Sequence, residues 1–171
     1  MSRVSDAMLA RLKESSGRGV SEAGPGAWRV EVMAMTDTRA WKLRRVSVSQ
    51  DRSITVENLL IGWQQHIRRL HREATGVAAT DAWGMDDYVA ALCLRDFLAS
   101  AEDDLGPAHA RELAEAVRGA DHLLLSFTVA DPDRVVQRAS GIDAGSGWWW
   151  ARMPASGPVV EDMRSRGLIF E

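Results

Sequence analysis

The sequence predicts an α+β fold that is mostly helical: an N-terminal β-hairpin packed on a three- to four-helix bundle, with a C-terminal Trp-rich extended segment. Three observations carry this prediction. Alternating apolar residues occur early in the chain, three long segments with helical periodicity follow, and the stretch GWWWARMP places three tryptophans side by side near the end. With 171 residues, 46% of them hydrophobic, the chain suits one such domain.

The start of the chain is predicted to stand apart from this domain. Residues 4–14 show the four-residue apolar spacing of a short helix, and the residues that follow are rich in Ser, Gly and Pro, as linkers are. We therefore divide the chain into an N-terminal helical arm at 1–14, a Gly/Ser linker at 15–27 and a single α+β domain at 28–171.

The predicted hairpin joins residues 28–36 to residues 41–49, both of which alternate between apolar and polar side chains. Their pairing would bring Trp28 and Trp41 face to face. The alternation changes parity at residues 44–45, which predicts a β-bulge there. Because a two-stranded hairpin is marginal alone, it has to pack on the helices.

The first long helix has the strongest periodicity, with Thr55 placed as its N-cap and Gly76 as its stop. Its outer face is predicted to be basic and solvated and carries His66, Arg68, Arg69, His71 and Arg72. The two histidines are five residues apart, about 140° around a helix, whereas helical zinc ligands are four apart on one face. No metal or other cofactor is therefore expected.

Two further long helices are predicted. The first opens at residues 86–87 and is apolar most of the way round, so Arg95 or Asp96 on it has to be partly buried and paired. The second begins at Pro107 after a glycine stop. Its end is ambiguous because residues 122–129 fit a helix or a strand, and we prefer the helix.

Charge is unevenly distributed along a chain whose net charge is −3. Residues 1–75 hold 13 Lys and Arg against eight Asp and Glu, whereas residues 76–171 hold eight against 16. The acidic run Glu102, Asp103 and Asp104 falls at a helix C-terminus, where negative charge opposes the helix dipole. This misplacement favours a basic protein partner, although a run of surface carboxylates is also simply solvated in many proteins.

Other classes of function have little support in the sequence. The single Cys93 stands among apolar residues, as a small buried hydrophobe does, and no phosphate-binding loop or nucleophile elbow is present. A pI of about 5.8 argues against nucleic acid, despite the arginines of the first long helix. The lack of a long apolar run argues against a membrane and favours the cytoplasm.

The tryptophan triplet has three interpretations: a structural seal, a partner-binding surface or a small-molecule pocket. In an extended segment Trp148 and Trp150 would share one face as anchors, leaving Trp149 beside Arg152 without an assigned environment. We expect a non-enzymatic regulator or immunity-type inhibitor that binds a protein partner through Trp149, Arg152, Glu102, Asp103 and Asp104. A small-molecule binder or enzyme with a pocket near Trp148–Trp150 is the alternative. The sequence does not decide between a monomer and a homodimer.

Overall fold

A computed structural model of the protein describes residues 40–76, 81–142 and 147–170. This part is mostly helical, with two short antiparallel strand pairs, as the predicted α+β class requires. The helices are α1 (Val56–Ala74), α2 (Met85–Asp104), α3 (Pro107–Phe127), α4 (Val135–Ser140) and α5 (Pro158–Ser165). The strands are β1 (Arg45–Ser49), β2 (Arg52–Thr55), β3 (Thr128–Ala130) and β4 (Arg152–Pro154), and two 3-10 helices span Ala40–Leu43 and Trp148–Ala151.

The described hairpin lies later in the chain than the predicted one. β1 pairs with β2, and the register shift lies between Ser47 and Ser49, not at residues 44–45. The first part of the predicted second strand is the 3-10 helix Ala40–Leu43, which we call the Trp41 turn. Trp41 is buried, and its indole N–H donates to Glu112 Oε2 on α3 at 2.7 Å. This contact favours the turn over a continued strand. The predicted arm, linker and strand at 28–36 lie outside the described residues.

Helix α1 begins and ends as predicted. The Thr55 hydroxyl accepts the backbone N–H of Asn58 at 3.3 Å, which satisfies one donor of the first turn. Gly76 has a φ of 91°, the left-handed region in which glycine is favoured at helix ends. The apolar face of α1 packs against both α2 and α3.

Helix α2 is the central helix, as its nearly continuous apolar surface predicts. It contacts α1, α3, α4, α5 and β1, and ten of its 20 residues are buried. The ambiguity at residues 122–129 is resolved within the segment: α3 continues to Phe127, and β3 begins at Thr128. The preferred helix is thus correct for most of the segment, and the strand begins only where pairing with β4 becomes available.

The last part of the chain returns to the ends of α1 and α2. The Ser156 hydroxyl donates to the carbonyl oxygen of Ala74 at 2.9 Å, and Asp162 accepts the Met85 N–H at 2.8 Å. Ser156 fastens the segment between β4 and α5 to the end of α1, and Asp162 fastens α5 itself to the start of α2. In the described ranges, no helix combines the length and the apolar character that crossing a bilayer requires.

Candidate functional site

The three tryptophans lie on the second 3-10 helix, Trp148–Ala151, which we call the tryptophan turn. The segment is therefore not extended as predicted, and strand geometry begins only at Arg152. Gly147 permits the turn, because a Cβ at this position would stand 2.1 Å from Cζ2 of Trp149. The Trp149 indole thus lies directly against the backbone of Gly147.

One carboxylate fastens the tryptophan turn to α2. Asp96 Oδ1 accepts the indole N–H of Trp149 at 2.8 Å. The indole N–H of Trp150 reaches both oxygens of the same carboxylate, at 3.0 and 2.9 Å. Both indoles are buried, with 6% of Trp149 and none of Trp150 exposed. Hydrogen bonds to an ionised acceptor are stronger than neutral ones, so Asp96 is a firm anchor for the turn.

A second charged group extends this anchor into the helix bundle. The guanidinium carbon of Arg95 lies 4.6 Å from the Trp149 ring centroid. Arg95 Nη1 is 3.2 Å from Glu102 Oε1, and Arg95 Nε is 3.2 Å from Asp121 Oδ1. Asp121 also accepts the indole N–H of Trp63 at 3.1 Å. The predicted pairing of the charges on α2 is confirmed for both Arg95 and Asp96.

Burial shifts the ionisation of this network. It raises the pKa of Asp96, of Glu102 and of Asp121 above the ordinary carboxyl values, and Arg95 opposes each shift only in part. Arg95 pairs with Glu102 and Asp121, whereas Asp96 is bonded to the two indoles.

Trp148 is the indole of the triplet that solvent reaches, with 40% of its surface exposed. It meets the Trp149 ring edge to face, at a centroid distance of 5.9 Å. The prediction that Trp148 and Trp150 are the anchors is therefore wrong for Trp148. The Asp96 carboxylate accepts the indole N–H groups of Trp149 and Trp150. Trp149 is buried and bonded to Asp96, and its role in binding a partner stays a prediction.

A functional assignment for this chain has to rest on the geometry described above. No family model, curated protein or solved structure matches this chain.

Arg152, the other predicted site residue of this segment, is held within the fold. Its Nε donates to the Thr128 hydroxyl at 3.1 Å, and its guanidinium also donates to the Thr128 carbonyl oxygen. The backbone carbonyl of Arg152 accepts the hydroxyl of buried Tyr88 at 3.1 Å. Arg152 thus joins β3, β4 and α2, and its role in binding a partner stays a prediction.

The predicted acidic residues divide into two kinds. Glu102 belongs to the Arg95 network, whereas Asp103 and Asp104 are exposed at the end of α2. Neither of these two aspartates makes an ion pair within the part of the chain that the structure describes. Trp148 of the tryptophan turn and Asp103 and Asp104 of the acidic run are thus exposed, and we call these three residues together the Trp148 surface, the candidate site.

Two other predicted features lie elsewhere. His66 is buried, contrary to the predicted solvated face, because its ring packs 4.7 Å from that of Trp83 and its Nδ1 lies 2.8 Å from the Gly62 carbonyl oxygen. Arg69 stacks over Trp83 at 4.3 Å and pairs with Glu73 at 2.8 Å. Within the described ranges, no group of three or more His, Cys, Asp or Glu side chains is arranged to hold a metal ion.

Cys93 is half-buried against the core, in agreement with its apolar surroundings in the sequence. Burial raises the pKa of its thiol to about 12, and the nearby Asp96 adds to this rise. The thiol therefore stays protonated at neutral pH, and a protonated thiol is a poor nucleophile.

Sequence reasoning missed Asp121. A signal for it exists in the helical spacing, because Asp121 lies four residues after Val117 and three before Leu124, both of which are fully or nearly fully buried. A carboxylate on an apolar stripe requires a buried donor, and Arg95 and Trp63 supply it.

Proposed function

We propose that this protein is a small cytoplasmic interaction protein without enzymatic activity, of the regulator or immunity type, that binds a basic protein partner through the Trp148 surface. The exposure of Trp148 on a turn whose other two indoles are fixed on Asp96 carries the proposal. A tryptophan on a rigid support loses little conformational entropy when a partner covers it, and tryptophan is a preferred anchor at protein interfaces.

The charge of α2 supports a basic partner. The helix carries six carboxylates and one arginine, and its last turn has no basic residue. Asp103 and Asp104 therefore face the negative end of the helix dipole without compensation. A Lys or Arg from a partner would relieve this repulsion, and it would also be attracted to the face of an exposed indole.

The two parts of the Trp148 surface are linked by successive contacts. Trp148 meets Trp149, Trp149 meets Arg95, and Arg95 pairs with Glu102, the residue that precedes Asp103. Successive contacts therefore lead from the exposed indole to the residue before the exposed aspartates of α2. The protonated thiol of Cys93 and the internal pairing of Asp96 also favour binding over covalent chemistry in this region.

The test starts from proteins captured by the tagged full chain in cells that produce it. Each candidate is purified and titrated against the chain by isothermal titration calorimetry. We expect Trp148→Ala and the double variant Asp103→Asn/Asp104→Asn each to weaken binding at least about tenfold. Binding of the unmodified chain should also weaken with added salt, because the surface charges are screened.

The matched control is the double variant Asp51→Asn/Glu161→Gln, which removes the same charge from two other exposed positions. It should bind as the unmodified chain does. The proposal is wrong if the purified partner binds all variants equally, or if the binding surface of the partner is acidic.

A further inference from the structure

Strand β1 carries a serine that follows two exposed arginines. The sequence there is Arg44-Arg45-Val46-Ser47, and Arg44, Arg45 and Ser47 are all exposed. Ser47 is the only Ser or Thr of the chain with arginine at both the second and the third position before it. This spacing is typical of the serines that basophilic protein kinases modify, because carboxylates of such kinases pair with the two guanidinium groups.

The backbone of β1 directs the polar groups of Ser47 away from β2. The Val56 N–H donates to the Arg44 carbonyl oxygen at 2.9 Å. Because bonded and non-bonded positions alternate in an antiparallel pair, the N–H and C=O groups of Arg45 and Ser47 lie on the other side of the strand. Within the described ranges, β1 pairs with β2 alone. Ser47 therefore lies on an extended segment with one open edge, the form in which many enzymes and binding domains take up a peptide.

Arg45 lies where it can hold a phosphate attached to Ser47. Ser47 and Ser53 are paired across the hairpin, which places their Cβ atoms about 4.5–5.5 Å apart on one face. Arg45 Nε donates to the Ser53 hydroxyl at 2.7 Å, and its Nη2 donates to the Ser53 carbonyl oxygen at 2.7 Å. Both acceptors are neutral, so they do not offset the positive charge of Arg45. A phosphate on Ser47 is a stronger acceptor for the same guanidinium.

We propose that Ser47 is a phosphorylation site for a basophilic protein kinase that binds Arg44 and Arg45. The kinase transfers the γ-phosphoryl group of ATP: the bond from the γ-phosphorus to its bridging oxygen breaks, a bond to Ser47 Oγ forms, and ADP leaves. The hydroxyl proton passes to an aspartate of the kinase. The new group brings about −1.5 to −2 charges at neutral pH and pairs with Arg45. The site includes no residue of the Trp148 surface and does not depend on the proposed function.

The test treats the folded full chain with ATP and a basophilic kinase, and mass spectrometry then locates the phosphate. We expect it on Ser47. Arg44→Ala and Arg45→Ala should each lower the rate of phosphorylation at least about tenfold, because each removes one guanidinium that the kinase binds. Arg52→Ala removes an exposed arginine of β2 instead and should leave the rate unchanged. Ser47→Ala should abolish the modification, whereas Ser49→Ala, at an exposed position of the same strand, should not.

A synthetic peptide of residues 40–53 shows whether the kinase accepts the sequence when it is not folded. The proposal is overturned if the peptide is modified and the folded chain is not, because the strand then hides the hydroxyl. It is also overturned if neither is modified, or if the phosphate in the folded chain lies on another serine. Circular dichroism under the reaction conditions should show that each variant is folded, which separates a lost recognition contact from unfolding.

The contact between the phosphate and Arg45 has a separate readout. Phosphorylation should raise the melting temperature of the unmodified chain by more than that of Arg45→Ala modified to completion, because only the unmodified chain holds the phosphate on this guanidinium. Added salt should reduce the difference, since the pair is exposed. Equal shifts in the two chains would contradict the contact.

Discussion

Asp96 accepts the indole N–H of Trp150 on both carboxylate oxygens, at 3.0 and 2.9 Å. The same carboxylate accepts the N–H of Trp149, which comes one position earlier in the chain. Two adjacent indoles thus converge on one acceptor, and the third, Trp148, is left to solvent. This relationship converts a run of three similar residues into two structural anchors and one accessible side chain.

The first prediction concerns this anchor. Asp96→Ala removes the acceptor of two buried indole N–H groups and should lower the free energy of unfolding by about 1–3 kcal/mol. Asp96→Asn keeps one carbonyl oxygen as an acceptor and should lower the free energy of unfolding by less. Urea denaturation followed by tryptophan fluorescence measures both. Asp103→Ala, at an exposed position of the same helix, should stay within about 0.5 kcal/mol of the unmodified chain. Equal stability of Asp96→Ala and Asp103→Ala would contradict the anchoring role.

The second prediction concerns pH. A carboxyl group whose pKa is higher in the folded chain than in the unfolded chain binds a proton more readily when folded. Its contribution to stability is therefore fully present below the unfolded pKa and is lost as the pH rises through the folded pKa. For Glu102 this loss begins near 4.5, the ordinary pKa of a glutamate side chain, and ends above it.

The variant Glu102→Gln tests this sign, because glutamine does not titrate. Relative to the unmodified chain, the variant should gain stability as the pH rises from about 4 toward neutrality. Urea unfolding at several pH values measures the difference. A difference that is independent of pH, or one that falls with rising pH, would show that burial does not dominate the ionisation of Glu102.

The third prediction compares two glycines. Gly147→Ala would place a Cβ 2.1 Å from Trp149, so the indole has to move, and we expect a loss of about 1–3 kcal/mol. Gly119→Ala lies within α3 and meets no heavy atom within 4 Å, so it should stabilise the helix by about 0.5–1 kcal/mol. Thermal unfolding of both variants should therefore show shifts of opposite sign. Similar shifts would rule out close packing at Gly147.

The fourth prediction compares two glycines of positive φ, only one of which is also crowded. Gly76 and Gly157 have the same φ of 91°, but only at Gly157 would a Cβ lie 2.8 Å from the backbone Cα of Ala74. Gly76→Ala should cost about 1–2 kcal/mol through its left-handed conformation alone. Gly157→Ala should cost about 1–3 kcal/mol more, because its ψ of −172° suits only glycine at this φ and because the segment after β4 has to withdraw from the end of α1. Equal losses in chemical denaturation would indicate that the two segments do not pack closely.

The sequence by itself determined the helices. Apolar spacing placed α1, α2 and α3, Thr55 and Gly76 marked the limits of α1, and the continuous apolar surface of α2 identified it as the central helix. These features are local, because a cap, a stop and a buried stripe are properties of one helix and its own side chains. The requirement for paired charges at residues 95–96 is local in the same sense.

Tertiary structure alone decided which indole of the triplet is exposed. The choice depends on Asp96, which lies 53 residues before Trp149, and no local pattern records where that carboxylate stands relative to the turn. The same holds for His66, buried beside Trp83, and for Trp41, drawn into a 3-10 turn by Glu112. In each case a polar or aromatic side chain is fixed by a partner distant in sequence, because a buried donor requires an acceptor and only the folded chain brings the two together.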